Sequence, residues 1–223
     1  MRSKEKKFVI AIDGPAGSGK STVSKLIAKR LELLYIDTGA MYRALTLKAM
    51  RSGLNLNDES SLTKLAGSTN IDLKEAEGSL NVFLDGEDVS GSIRMPELTN
   101  NVKYIARVPG VRKEMVGLQR AIGERSGAVL EGRDIGTVVF PDADYKFYLD
   151  ASIVERARRR HKELVQSGET VELESIKRDV AARDESDMKR PVGALKVADD
   201  AIVIDTTDLS IDEVAEKVLS YIE

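Results

Sequence analysis

Gly14-Pro15-Ala16-Gly17-Ser18-Gly19-Lys20-Ser21 spells G-x-x-x-x-G-K-S, and it comes at the end of the apolar run Phe8-Val9-Ile10-Ala11-Ile12. That placement constrains the chain more than any other feature. A phosphate-cradling loop of this kind needs a buried strand that feeds a glycine-rich turn and opens a helix. The following helix is legible in Val23, Leu26, Ile27 and Leu31, which recur at helical intervals and form one apolar stripe. The glycines let successive backbone N–H groups turn inward as an anion nest, and the helix N-terminus adds partial positive charge. The motif therefore implies a nucleoside triphosphate, cradled by Gly14 to Ser21 together with Thr22. Lys20 would reach the β/γ-phosphates, and the Ser21 hydroxyl would help hold Mg²⁺.

Strand-like apolar runs then alternate with helical periods. Strands are expected at Phe8–Ile12, Leu33–Ile36, Ala128–Glu131, Tyr145–Leu149 and Ala201–Ile204. The last helix presents Ile211, Val214, Ala215, Val218, Leu219 and Ile222 on one face, and Ser210 with Glu213 forms a capping box at its start. Alternation of this kind predicts an α/β fold with a mostly parallel sheet covered on both sides. Leu62 to Arg94 differ. Asn81 to Val89 predict two short strands around an Asp85-Gly86 turn, a small antiparallel hairpin inserted into the α/β pattern.

Composition excludes several chemistries. There is no cysteine, so disulfides, thiolate nucleophiles and Cys-based zinc sites are ruled out, and the single histidine, His161, argues against a His-dependent triad. A net charge of −3 argues against a dedicated nucleic-acid binder. The basic stretch Met1–Lys7 is followed by an apolar run too short for a signal-peptide core, and nothing approaches a membrane span. A cytoplasmic location is the resulting expectation.

A triphosphate cradle alone fits kinases, GTPases and motor ATPases, so the second substrate needs its own argument. Asp37-Thr38-Gly39-Ala40-Met41-Tyr42-Arg43 falls where the second strand meets a helix, the edge at which ligands gather in doubly wound sheets; helix capping by Asp37 or Thr38 is the plainer alternative. Glu131-Gly132-Arg133-Asp134 at another strand end is a ligand contact or a surface ion pair. On a helix, Arg183, Asp187 and Arg190 share one face, as a site or as an ordinary i,i+4 pair. Arg156 to Arg160 lie on a helix whose apolar side is Val154, Ala157, Leu164 and Val165; the run is a solvated face, or a clamp on the triphosphate when a lid closes. An acceptor that is itself a phosphate needs no general base. The difficulty is gathering two polyanions, a task suited to planar, permanently charged arginines with one Mg²⁺.

In these residues the chain resembles the bacterial cytidylate kinases, nucleoside monophosphate kinases of the P-loop class. The likeness runs through Ile36 to Arg43, the hairpin with Asp85 to Ser90, Pro109-Gly110-Val111-Arg112, Glu131 to Ala143, and Arg183 to Arg190. It implies a core domain (1–37, 101–150 and 195–223), a monophosphate-binding domain containing the hairpin (38–100) and a lid with flanking helices (151–194). It also implies γ-phosphoryl transfer from ATP to CMP, and to dCMP, on a monomer with neither nucleic acid nor membrane as partner. Carried over by position, Lys20, Arg133, Arg190, Arg156 and Arg160 would be catalytic. Arg43, Arg133 and Arg190 would hold the acceptor phosphate, Arg112 and Asp134 would read the cytosine edge, Arg183 and Asp187 would meet the ribose, and Thr38 and Tyr42 would line the pocket.

One departure stands out: relatives place a serine where this chain has Lys103, and a lysine cannot accept a hydrogen bond from the base amino group. A related small kinase with another acceptor is the runner-up. A GTPase reading is poorly served, because Asp88-Val89-Ser90-Gly91 falls in the hairpin and no N-K-x-D segment exists.

Overall fold

A computed structural model describes residues 8–76 and 79–222; the basic stretch Met1–Lys7 lies outside them. Five parallel strands form the central sheet: β1 (Val9–Asp13), β2 (Leu34–Asp37), β6 (Ala128–Gly132), β7 (Tyr145–Asp150) and β8 (Ile202–Asp205), in the order β2-β6-β1-β7-β8. Each matches an expected strand to within two residues. β1 is central, with Ala11 opposite Leu130 on one side and Lys146 on the other. Side chains alternate across a strand, so β1 and β6 each feed two cores. Ile10, Ile12 and Val129 face α1 (Lys20–Arg30) and α8 (Ile211–Leu219), joining Val23, Ile27, Val214, Ala215 and Val218. Ala11, Ala128 and Leu130 face the other way, toward α2 (Thr38–Arg51) and its neighbours. Phe147 is the largest side chain fully buried in the first core, worth about 1.5–3 kcal/mol by transfer alone.

The second core continues into α3 (Glu59–Gly67), α4 (Pro96–Ala106) and α5 (Pro109–Ser126), and into a small antiparallel sheet of β3 (Ile71–Ala76), β4 (Ser79–Leu84) and β5 (Glu87–Asp88). The Asp85-Gly86 turn has φ of 49° and 90° at its two central residues, the geometry of the tight hairpin turn that this pair favours. Two corrections follow. The insertion has three strands rather than two, because Ile71–Ala76 pairs with Ser79–Leu84, and the strand after the turn stops at Asp88.

α6 (Ile153–Gln166) and α7 (Leu173–Met188) pack on each other through Ala157, Ile176 and Val180, flanked by Ile153 and Leu164. Val154 and Val165, expected on the apolar side of α6, are 48% and 50% exposed; Ile153 takes the inward position. Ile211 is likewise 48% exposed, since it sits in the first turn of α8, ahead of the buried Val214. No helix among the described residues is long and apolar enough to cross a membrane.

Candidate active site

The phosphate loop leaves the carboxyl end of β1 and enters α1 at Lys20. β1 is where the chain switches sides, with β6 and β2 to one hand and β7 and β8 to the other, the place where open α/β sheets bind ligands. Gly17 and Gly19 take φ of 79° and 89°. At Gly17 a Cβ would stand 3.0 Å from both the Cβ and the carbonyl oxygen of Arg156, so only glycine lets the loop lie against α6. Lys20 Nζ donates to the Pro15 carbonyl at 2.7 Å and stays buried inside the loop. Burial, with Arg133 and Arg183 close by, presses its ammonium well below the usual lysine range. A buried cation held this way gains by meeting an anion. Ser18 Oγ, also in the loop, is buried with no hydrogen-bond partner among the described residues. Ser21 and Thr22 form the exposed first turn of α1, and the Ser21 hydroxyl donates to Glu131 at 2.9 Å.

Three arginines of α6 have different fates. Arg156 is buried and wired in place: Nε donates to Ala151 O at 2.9 Å, and Nη1 donates to Ala16 O at 3.2 Å and to Asp184 at 2.6 Å. It thus links the phosphate loop to α7. Arg159 donates to the Thr206 carbonyl at 2.6 Å and hydroxyl at 3.1 Å, while Thr206 in turn donates to Ser18 O at 3.1 Å. Arg160, by contrast, turns to solvent and pairs with Glu163 at 3.0 Å. The structure brings Arg156 and Arg159 to the cradle and leaves Arg160 outside. Sequence reasoning did not single out Arg159; its place three residues after Arg156 puts it on the same side of the helix. His161 Nε2 lies 3.1 Å from Val171 O and takes no part.

Across from the cradle, the three separated arginine segments converge. Asp37 caps α2, accepting from Ala40 N at 2.8 Å, and its other oxygen accepts from Arg43 at 3.1 Å. Asp37 therefore caps the helix, as the plainer alternative expects, and pairs with Arg43 as well. Arg133 Nε donates to Asp187 at 2.7 Å, and Arg190 donates to the other Asp187 oxygen. Arg190 lies just beyond the end of α7, yet still meets Asp187 three residues back. Burial alone would raise the Asp187 carboxyl, but Arg133, Arg190 and Arg183 together hold it below its ordinary value. Arg183 is exposed and feels Arg133, Arg43 and Arg190. Two guanidiniums thus share one buried carboxylate and a third, Arg183, acts on it, a surplus of positive charge that an anion would neutralise.

Beside them, Arg112 donates to Asp134 inside the protein, and both side chains are under a tenth exposed. Burial keeps the Asp134 carboxyl raised despite Arg112. The Arg112 guanidinium also stands 5.7 Å from the ring centroid of buried Tyr42, and its Nε has no hydrogen-bond partner among the described residues. Gly193, at φ 66°, lies against that guanidinium so closely that a Cβ would come within 2.0 Å of Nη2. Thr38 donates to Glu131 O at 2.7 Å, tying α2 to the end of β6. Lys103 sits exposed on α4 with its ammonium 5.2 Å from the Tyr104 ring centroid. It helps line a cavity of about 400 Å³ with Tyr104, Arg107, Lys189 and Arg190.

Glu131 was not singled out as a site residue, yet it is buried at the centre of this region, bonded to Ser21 and to the Tyr35 hydroxyl. Burial and Asp37 raise its carboxyl, and Lys20 opposes them. The signal for it was positional: an acidic residue at the end of an apolar strand next to the phosphate-loop strand.

A triphosphate cradle facing an arginine cluster is an arrangement for two phosphorylated ligands. Comparison with known proteins agrees. The family model described as cytidylate kinase matches residues 10–223. The cytidylate kinase of Geobacillus sp. (strain WCH70) is 52% identical over 96% of this chain and 95% of its own. That of Geobacillus thermodenitrificans (strain NG80-2) is 50% identical, covering 98% and 97%. A bifunctional pantoate ligase/cytidylate kinase of Synechococcus sp. is 49% identical over 97% of this chain and 41% of its own. Among solved structures, a shikimate kinase from Bacteroides thetaiotaomicron shares the fold at a TM-score of 0.50 and 12% identity, covering 97% and 98%. The family match over residues 10–223 and the near-full-length relatives at about 50% identity make this chain a kinase of the cytidylate kinase family.

Proposed function

We propose that the protein transfers the γ-phosphoryl group of ATP to CMP, and to dCMP, giving ADP and the corresponding diphosphate. One observation carries this reading: Arg133 and Arg190 bond a single buried carboxylate, Asp187, with Arg183 and the Asp37-paired Arg43 close enough to act on one another, opposite the Lys20 cradle. The acceptor phosphate binds Arg43, Arg133 and Arg190, displacing part of their pairing with Asp37 and Asp187. The Arg112–Asp134 pair meets the cytosine edge, where a carboxylate oxygen accepts from the exocyclic amino group. Arg183 and Asp187 meet the sugar; Thr38 and Tyr42 wall the pocket. Residues 38–100 act as the acceptor-binding unit and 151–194 as a lid over the core, delivering Arg156 to the transferring group.

In the reaction an oxygen of the acceptor phosphate attacks the γ-phosphorus in line while the bond to the β–γ bridging oxygen breaks, and ADP departs with that oxygen's electrons. The attacking oxygen is already anionic at neutral pH, so no general base is needed. Lys20 and the arginines neutralise charge that builds on the equatorial and leaving oxygens. The oxygen donors suit Mg²⁺: the Ser21 hydroxyl presents a hard oxygen with the Glu131 carboxylate behind it, and no His/Cys/Asp/Glu cluster that could hold a metal occurs among the described residues. Ser21 would hold the ion, and bound Mg²⁺ would supply charge neutralisation to the transferring phosphoryl group.

Lys103, drawn to the Tyr104 ring, leaves Asp134 as the amino-group acceptor. Coupled ADP-release assays with CMP, dCMP, UMP and AMP test the assignment: CMP and dCMP turn over best, and equal efficiency with AMP would defeat it. Arg43→Ala is expected to lower kcat/KM for CMP by about 10- to 100-fold, the weight of one charge-assisted contact.

A further inference from the structure

Asp13 ends β1 one residue before the phosphate loop, and its side chain does not enter that loop. It points into the interior and is 5% exposed. Its Oδ1 accepts from Ile135 N and its Oδ2 from Gly136 N, both at 2.8 Å. Those two amides open the tight turn Ile135–Val139 that follows Arg133 and Asp134, a single wide helical turn closed by bonds from Val139 N to Asp134 O and from Phe140 N to Ile135 O. Gly136 is packed between Asp13 and the Lys146 stem: a Cβ there would lie 3.2 Å from Lys146 Cδ and 3.6 Å from Asp13 Oδ2.

The geometry points to Asp13 as a positioning residue for acceptor recognition: its two oxygens clamp the backbone just after Arg133 and Asp134, fixing the acceptor-reading segment to the strand that carries the donor cradle. The inference rests on the reading of Arg133 and Asp134 as acceptor contacts. Without the clamp, the Arg133–Asp187 and Arg112–Asp134 pairs would be set only by their own side chains.

The clamp is built to respond to protons. Burial, the largest influence, pushes the Asp13 carboxyl up to about 6; the two amide bonds pull it down, Asp134 in the same segment pushes it up, and Lys20 from α1 pulls it down. From β7, the Tyr148 hydroxyl faces the same region, while the Lys146 ammonium is directed to Asp200 at 2.7 Å. Above this value the carboxylate accepts at both oxygens. Below it, one oxygen carries a proton and meets an N–H donor to donor, so the clamp loosens as pH falls.

The test uses the full-length enzyme and its Asp13→Asn variant, which keeps the size and loses one acceptor. At pH 7.5 the variant is expected to show a KM for CMP raised at least 10-fold with the KM for ATP changed less than 3-fold. Because the CMP phosphate itself gains a proton at about pH 6, the proton response of the clamp is read without nucleotide rather than from a pH–rate limb. If the variant fails to fold, the wild type still decides: the amide proton shifts of Ile135 and Gly136, followed by NMR without nucleotide, should titrate together near pH 6. Amides that stay unmoved between pH 5 and 8, or a folded variant with unchanged CMP KM, overturn the inference. Neither amide result depends on CMP being the acceptor, so a failure here is distinguishable from a failure of the activity assay.

Discussion

Arg133, Arg190 and Arg43 were legible as site candidates because a guanidinium beside glycines at a strand end, or beside an aspartate in a charged run, makes a poor core element. What the sequence could not disclose was who shares them. Asp187 serves both Arg133 and Arg190, and Asp13 bonds amides 122 and 123 positions away; separations of that length leave no periodic trace. Glycine 193 shows the same limit. Its positive φ and its contact with Arg112 exist only in the folded chain. Gly193→Ala must therefore both strain the backbone and displace the Arg112 guanidinium. The expected outcome is a rise of at least 10-fold in KM for CMP with the KM for ATP nearly constant. Unchanged CMP kinetics would show that Arg112 needs no such support.

Elements whose hydrophobic period matched their type were found where the residues said they would be. The core strands are apolar runs, buried on both faces at β1 and β6 and open on one face at the edge strand β8, where Val203 is 57% exposed. β3 escaped notice because Ile71-Asp72-Leu73-Lys74-Glu75-Ala76 alternates with charged residues, and only pairing with β4 makes it a strand. Helix ends were read more securely, since capping is local chemistry. In α8, Glu213 N donates to Ser210 Oγ at 3.3 Å and Ser210 N donates to Glu213 at 2.8 Å. Ser210→Ala should cost about 1 kcal/mol, lowering Tm by about 2–4 °C. Because α8 packs on the face of the sheet served by Val214, Ala215 and Val218, CMP turnover should be unaffected. A melt that does not move, or a loss of activity matching the loss of stability, would assign the box another role.

At the scale of the whole molecule, the arginine cluster concentrates positive charge in a chain whose net charge is −3. The free protein holds that charge at a cost that a bound anion relieves. Nucleotides that bind only the folded state must then raise Tm: at 100 times Kd the gain is about 2.7 kcal/mol, or roughly 5–10 °C for a chain of this size. CMP should give this shift in a thermal melt, and Arg133→Ala should abolish it while keeping the shift produced by ATP. A CMP shift that survives the substitution would place the acceptor elsewhere. By themselves, the residues in order determined the phosphate loop, the parallel sheet, the inserted hairpin turn and the chemical class of both ligands. These follow from short-range rules: strand burial, glycine conformations, helix caps and the fixed charge of arginine. Only the tertiary structure decided that Arg159 approaches the cradle while Arg160 faces solvent, that Val154 is exposed and Ile153 partly buried, and that Asp13 grips the backbone at Ile135 and Gly136. Each of those outcomes depends on which distant backbone comes to lie alongside, and that is set by the packing of whole elements against one another.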